Sequence, residues 1–600
     1  MTADTENKEI LIRIMIMAFT VMLLFSALII RLWKVQILSG FEFDEKASGL
    51  YARSIRLPAL RGRIYSSDGS LLAANRPSVE ARFHLSEMPI SGKLKKSAQY
   101  ILTEVQRAEK AVGRNSGVTR KNILHHMQHR PGIPMVIFKD LDQAELARLA
   151  ELMPPIPGLE LAASSIRWYP FHSLASHLIG YTGPQDPSTA EDRGDYFYYL
   201  PETTGRTGLE KAYNQELQGK PGKKLVKVNH RGFVHEVIGE PQHSESASDL
   251  VITIDSRLQR QAELLLEGRE GAIVVMDASD GSLLAAGSAP GYDLNCFIPK
   301  ISSKDYKSLM GQSGQPFLNK VLRGSYMPGS IIKPLVSLAI LESGISPDDE
   351  LECDGATYFS DGSRIRCWSW LSGGHGSLSL TDALKVSCND FFIENGMKLG
   401  LDRLRMTFAS AGIGSKTGIE LPEEAGILPD RKRWNNWNVH DTALISIGQG
   451  KIQVTPLQAV SYTAAIANGG RLWKPRLVQE IRNPETGKKT VSPKVLRGLL
   501  KASPENIAFV REGMFRAVNE DGGGAYRAQV PGITVSGKTG TAEVGPKNKR
   551  ENNTWFVGFS ELPSGRLIAI AVLVLKGEAG NKTAAPLAAE MFKCAIRLKL

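Results

Sequence analysis

Between Arg13 and Arg31 lie seventeen residues, Ile14 to Ile30, without a single charge. A backbone that leaves water must bond its own N–H and C=O groups, and for one isolated segment that means a helix. At about 1.5 Å per residue the run just crosses a hydrocarbon core, and Leu32 and Trp33 extend it into the interface. A transmembrane helix is therefore expected over 14–33, behind a short tail at 1–13. A cleaved signal peptide fits less well, because the run is too long for its apolar core and no small-residue cleavage site follows. Lys8 and Arg13 on one side and Arg31 and Lys34 on the other leave the orientation open. The rest of the 600 residues, 42% hydrophobic overall, suffices for several globular domains.

Three short segments in the second half carry chemistry as a set. Ser330 and Lys333 stand three apart at an expected helix start, Ser387, Cys388 and Asn389 follow the helix-like stretch Leu380 to Val386, and Lys538, Thr539, Gly540 and Thr541 lie in a strand-like stretch from Ile533 to Val544. A serine hydroxyl is a poor nucleophile until a nearby base takes its proton, and a lysine one turn later can reach it. Taken singly, each segment reads equally well as a capping serine, a loop serine or a glycine-kinked edge strand. In this order they resemble the active-site signature of penicillin-binding proteins and class A β-lactamases.

That resemblance implies acyl transfer from a D-alanyl-D-alanine peptide and gives each residue a role. Ser330 is the expected nucleophile and Lys333 its base, which requires a neutral amine; burial and the second cation Lys538 should both lower its pKa. Ser387 is expected to relay the proton to the departing D-alanine, and Asn389 to position Lys333 and the substrate amide. Lys538 and Thr539 would hold the terminal carboxylate. Gly540 would leave the strand edge bare for the peptide, and the Thr541 N–H would complete an oxyanion hole with that of Ser330.

Two further stretches match class B penicillin-binding proteins: Arg61, Gly62, Arg63, Ile64 with Asp68, Gly69, Leu72, Ala73 and Asn75; and Gly205 to Glu210 with Tyr213. The expected architecture is α/β. An N-terminal transmembrane helix leads to a mixed α+β pedestal or dimerisation region over 50–250, with a head at about 76–200. A transpeptidase domain, an antiparallel sheet flanked by helices, follows over 251–600. In that domain Thr253, Ile254 and Asp255 read as a strand leading into a helix, and Gly271 to Met276 and Leu283 to Ala286 as a hairpin around Asp280-Gly281. Gly448, Gln449, Gly450 and Thr455, Pro456, Gln458 resemble another family segment near the site. Helices are expected at Lys96 to Val112, Leu141 to Leu152 and Ala584 to Leu598, and strands at Trp555 to Phe559 and Leu567 to Val574.

Five cysteines are an awkward number for an exported protein. Cys353, Cys367 and Cys388 with His375 would make a closed tetrahedral zinc site, structural because no position is left open. The alternative is a Cys353 to Cys367 disulfide with Cys388 left as a thiol. Elongation-type class B enzymes, the penicillin-binding protein 2 group, resemble this chain here, and since some of them use aspartates, Asp354 is an alternative ligand to Cys353. Cys296 and Cys594 are expected to be buried thiols. The net charge of +11 comes without any basic, aromatic-studded helix, so a nucleic-acid partner is not expected.

The resemblance covers nearly the whole chain. It implies a serine-type D-Ala-D-Ala transpeptidase, akin in its chemistry to the D-Ala-D-Ala carboxypeptidases, that cross-links peptidoglycan stem peptides in cell-wall elongation. It further implies a single-pass inner-membrane protein with its catalytic domain in the periplasm, a RodA-like glycan polymerase and an MreC-like scaffold as partners, and inhibition by β-lactams. No glycosyltransferase segment precedes the pedestal, so a bifunctional enzyme is not expected. The rival readings are a septal transpeptidase, a β-lactamase or hydrolysing sensor, and a catalytically silent activator of a polymerase.

Overall fold

The computed structural model describes residues 3–38, 52–89, 93–186, 194–200, 202–229, 232–546 and 550–600. The pedestal was expected to open at 50, and residues 50 and 51 lie outside the described ones. The first helix, Ala3–Trp33, begins well upstream of the apolar run and continues as a π-helical turn, Lys34–Leu38. Residues Lys8–Leu38 form a span long and apolar enough to cross a membrane, and none of the surface of its most apolar window is buried by the rest of the chain.

Past this helix the pedestal is built on two sheets. One orders Val234–Gln242, Gly222–Val228, Ala52–Leu57 and Tyr198–Tyr199. The other runs Lys489–Val491, Val478–Arg482, Asp249–Ile252, Ile64–Tyr65, Leu71–Phe83 and Met135–Phe138, with Leu159–Trp168 also paired to Leu71–Phe83. A turn at Asp68-Gly69 joins Ile64–Tyr65 to Leu71–Phe83, with Gly69 at φ +83°. The turn also caps the next domain: Asp68 accepts from the Ser256 N–H at 2.7 Å and its hydroxyl at 2.8 Å, at the start of helix Ser256–Leu265. Burial pushes the Asp68 carboxyl up, but these bonds and those from Ser70 and Ser66 outweigh it and hold the group down at about 2. A division at 250/251 is thus no physical seam. Asp249–Ile252 pairs antiparallel with Val478–Arg482, which belongs by sequence to the second half.

A buried ion triad explains why two segments far apart in sequence belong together. Arg61 Nε donates to Glu210 Oε2 at 2.6 Å, Arg167 Nε to Glu210 Oε1 at 2.7 Å, and the Tyr169 hydroxyl to the same oxygen at 3.2 Å. Burial pushes the Glu210 carboxyl up, yet Arg167 and Arg61 hold it below its ordinary value. Glu210→Ala would leave two guanidinium groups buried without their anion, a loss of about 3–5 kcal/mol. Thermal unfolding of that variant should show a clearly lower Tm than wild type; an unchanged Tm would refute the triad as the lock of the pedestal.

In the head, helices Leu94–Val112, Arg120–His129 and Gln143–Ala150 pack Ile101, Val105, Ile123 and Leu149 against Phe83 and Phe138. The last helix is shorter than expected because Asp142 and Glu145 form a capping box at its start.

The catalytic half centres on a five-stranded antiparallel sheet in the order Leu283–Ala289, Gly271–Asp277, Leu567–Val574, Glu551–Glu561 and Ser536–Val544. Side chains alternate along a strand, so Ile273, Val275, Ile570 and Val572 turn to one face, where helices Ser256–Leu265 and Gly580–Arg597 cover them. Val274, Ala571, Leu573 and Trp555 turn to the other, against helix Pro456–Ala467 and the helix that follows Ser330. Burial on both faces is why these strands read as unbroken apolar runs. Cys594 is buried as expected, whereas Cys296 is exposed: in the turn Leu294–Phe297 it is Leu294 and Phe297 that face inward.

Candidate active site

Gly329–Ile332 is a 3-10 turn leading into the α-helix Lys333–Leu341, every residue of which is buried. The Lys333 N–H bonds the Ser330 carbonyl. In 3-10 geometry side chains three apart eclipse one another, so Ser330 and Lys333 leave the turn on the same side. Ser330 is half-buried at the mouth and Lys333 wholly buried beneath it. The turn is held from several sides. The Gly329 N–H donates to the Gly448 carbonyl at 2.8 Å, the Tyr462 hydroxyl to the Ile331 carbonyl at 2.9 Å, and Trp555 Nε1 to the Met327 carbonyl at 3.0 Å. Gly448 has φ +73°, and a Cβ there would lie 2.0 Å from the Gly329 carbonyl oxygen, so only glycine fits.

The second segment wraps the lysine amine. Lys333 Nζ donates to the Ser387 carbonyl at 2.9 Å, the Ser387 hydroxyl at 3.3 Å, the Cys388 carbonyl at 3.3 Å and Asn389 Oδ1 at 2.8 Å. Ser387 achieves this by taking φ +61°, a left-handed conformation uncommon for a residue with a Cβ, at the end of helix Leu380–Val386. Phe392 places its ring 5.2 Å from the amine. Burial pushes the Lys333 amine down to about 8, against the opposing pull of Cys388, Cys367 and Asp390.

Strand Ser536–Val544 is the sheet edge that borders the serine turn. Lys538 is fully buried, and burial first, then the charge of Lys333, lowers its pKa well below the ordinary value. A carboxylate bound beside Lys538 would favour the charged amine that burial and Lys333 disfavour. The Thr539 hydroxyl donates to the Gly524 carbonyl at 2.9 Å and must turn from it to bind a ligand. The Thr541 hydroxyl accepts from the Gly580 N–H at 3.1 Å, which leaves the Thr541 backbone as its contribution to catalysis. Gly540 also meets a packing need. A Cβ there would meet the Pro328 carbonyl at 2.9 Å and the Ile331 nitrogen at 3.1 Å, so its bare Cα admits the serine turn itself.

Behind the second segment, Cys353, Cys367, His375 and Cys388 bring their donor atoms within 4.8 Å of one another. His375 Nδ1 lies 3.5 Å from Cys353 Sγ and 3.6 Å from Cys367 Sγ, and Cys367 Sγ lies 4.0 Å from Cys388 Sγ. Zinc–sulfur bonds of about 2.3 Å at tetrahedral angles put neighbouring donors about 3.5–3.8 Å apart, so the residues fit a tetrahedral cation. All five cysteines are free thiols, without the alternative Cys353 to Cys367 disulfide. Asp354 is exposed and accepts from the Ala356 N–H at 3.3 Å, away from the cluster. The carboxylate that does approach is Asp390, 3.0 Å from Cys353 Sγ.

With this geometry in view, the comparisons with known proteins are direct. Residues 271–593 match the penicillin-binding protein transpeptidase domain, and residues 56–252 the penicillin-binding protein dimerisation domain. The peptidoglycan D,D-transpeptidase MrdA of Escherichia coli strain K12 is 30% identical over 559 residues, 90% of this chain and 85% of that protein. The chain belongs to the class B penicillin-binding proteins, in the penicillin-binding protein 2 group. Among solved structures, penicillin-binding protein 2 from Helicobacter pylori in complex with MreC superposes with a TM-score of 0.74 at 28% identity, covering 91% of this chain and 99% of that one. A chain from a peptidoglycan synthase complex, described for its coordination of polymerization and crosslinking, gives a TM-score of 0.67 at 27% identity, covering 98% and 99%.

In this penicillin-binding protein the structure brings Lys333 against Ser387, Asn389 and Lys538, and sets the strand of Thr539, Gly540 and Thr541 beside the turn that carries Ser330. Sequence reasoning missed Phe392 beneath the lysine, Asp390 beside the cysteines and Tyr462 behind the serine. Phe392 and Asp390 sit within five residues of Asn389, and the buried run that opens helix Asn389–Ser410 was the available signal.

Proposed function

We propose that this protein is the peptidoglycan D,D-transpeptidase of cell-wall elongation, anchored in the inner membrane by its first helix with the catalytic domain in the periplasm. The observation that carries the reading is the Lys333 amine, buried, lowered in pKa and bonded to both Ser387 and Asn389. In the reaction, Lys333 takes the proton as Ser330 Oγ bonds to the carbonyl carbon of the penultimate D-alanine. The oxyanion forms against the Ser330 and Thr541 N–H groups. The C–N bond then breaks, the proton passes by way of Ser387 to the departing D-alanine amine, and an acyl-enzyme remains. A second stem peptide's amine attacks that ester, surrenders its proton to Lys333 and frees Ser330 with a new peptide bond formed. Lys538 and Thr539 anchor the terminal carboxylate until it leaves with the departing D-alanine. A β-lactam enters by the same route and stays attached as the Ser330 ester.

A RodA-like glycan polymerase and an MreC-like scaffold are the partners, a reading supported by the Helicobacter pylori complex with MreC and by the peptidoglycan synthase complex. Depletion of the protein in its own host should give round cells that still divide; long filaments would instead assign it to the septum.

A structural zinc ion held by Cys353, Cys367, His375 and Cys388 belongs to this reading. Its support is the donor geometry, with His375 Nδ1 and the three Sγ atoms close enough together to share one ion. Such an ion would clamp Cys388, and with it Ser387 and Asn389, against the serine helix. Elemental analysis of the purified protein should find about one zinc per chain, lost with a fall in Tm in Cys388→Ala. Metal-free wild-type protein of undiminished Tm would refute it.

A further inference from the structure

The short strand Arg364–Arg366 runs into Cys367 and Trp368, and Arg366 to Trp368 are tied to the second catalytic segment and the helix end before it. The Arg366 carbonyl accepts from Asn389 Nδ2 at 3.4 Å, Cys367 Sγ from the Asn389 N–H at 3.2 Å, and Trp368 Nε1 donates to the Val386 carbonyl at 3.0 Å. A peptide that lies along Asn389 therefore lies beside Arg366.

Arg364 and Arg366 are both exposed, and residues two apart on a strand share a face. Both guanidinium groups lie over the ring of Trp370, 4.8 Å and 5.4 Å from its centroid. Neither has a carboxylate partner among the described residues, and the neighbouring acid Asp361 pairs with His440 at 3.6 Å. Two cations gathered on one indole repel each other, and an exposed cation–π contact returns only about 0.5–1 kcal/mol. The arrangement is preorganised and lacks its anion. A guanidinium offers a planar fork that matches a carboxylate, which a flexible ammonium does not.

We infer that Arg364 and Arg366 recognise a carboxylate on the peptide substrate, upstream of its D-alanyl-D-alanine end, and so select acidic stem peptides over neutral ones. The inference rests on the transpeptidase reading above and assigns that site a specificity. Trp370 is a positioning residue that holds both forks on one ring.

The test uses the full-length protein and two synthetic peptides ending in D-alanyl-D-alanine, alike except that one carries a free carboxylate two or three residues upstream and the other its primary amide. The rate of acyl-enzyme formation is followed by intact-protein mass spectrometry. Wild type should react about tenfold faster with the acid at low ionic strength. The ratio should shrink in about 1 M salt, where the Debye length falls to about 3 Å. In Arg364→Gln/Arg366→Gln the ratio should drop to about one, while Arg364→Lys/Arg366→Lys retains part of it. A wild-type ratio near one, or an unchanged ratio in the glutamine variant, overturns the inference with the enzyme still active. If neither peptide acylates wild type and penicillin fails to label Ser330, the transpeptidase reading itself falls.

Discussion

Ser330→Ala should abolish covalent labelling by fluorescent penicillin and all transpeptidation while leaving the fold intact. The substitution removes one half-buried hydroxyl, a change of about 0.5 kcal/mol or less in stability. Among the described residues the serine hydroxyl that bonds the Lys333 amine is that of Ser387, and its hydroxyl and carbonyl are both turned onto the amine by its left-handed backbone. In cells the variant should fail to support rod shape. Normal rods with Ser330→Ala as the only copy would show that the protein acts as a silent activator of a polymerase, and labelling at Ser387 would sink the assignment of the nucleophile.

Lys333→Met removes the base and keeps the approximate bulk of the side chain. Acylation should fall about 10²–10⁴-fold, the range of a positioned general base. Stability should fall as well, by about 1–3 kcal/mol, since the Ser387 carbonyl and Asn389 Oδ1 lose their donor. Lys333→Arg separates charge from basicity. A guanidinium remains protonated throughout the accessible pH range and cannot accept the Ser330 proton, so its acylation should be no better than that of the methionine variant. Stopped-flow acylation by a chromogenic β-lactam reads both variants, and wild-type rates in Lys333→Arg would show that the lysine acts through its charge alone.

The catalytic segments were legible in the sequence because each is local: Ser330 and Lys333 share one turn, and Lys538 to Thr541 share one strand. The hairpin around Asp280-Gly281 and the strands of the central sheet were legible for the same reason, their periodicity and turn residues being written in adjacent positions. What escaped depends on contacts between distant residues. Nothing near Arg167 signals that it completes a buried triad with Arg61 and Glu210. The packing of the serine turn against Gly540 escaped because that turn arrives from more than two hundred residues earlier. Asp354 looked as good a metal ligand as Cys353 until the backbone sent one side chain outward and the other inward. The start of the first helix was placed too late because hydropathy marks the membrane core, whereas helical hydrogen bonding extends beyond it to Ala3.

The most direct test of the account is to treat the purified full-length protein with benzylpenicillin, digest it and locate the added mass by tandem mass spectrometry. The account predicts one penicilloyl group per chain, on Ser330 alone. An adduct on any other residue, or folded protein that acquires none, would contradict it.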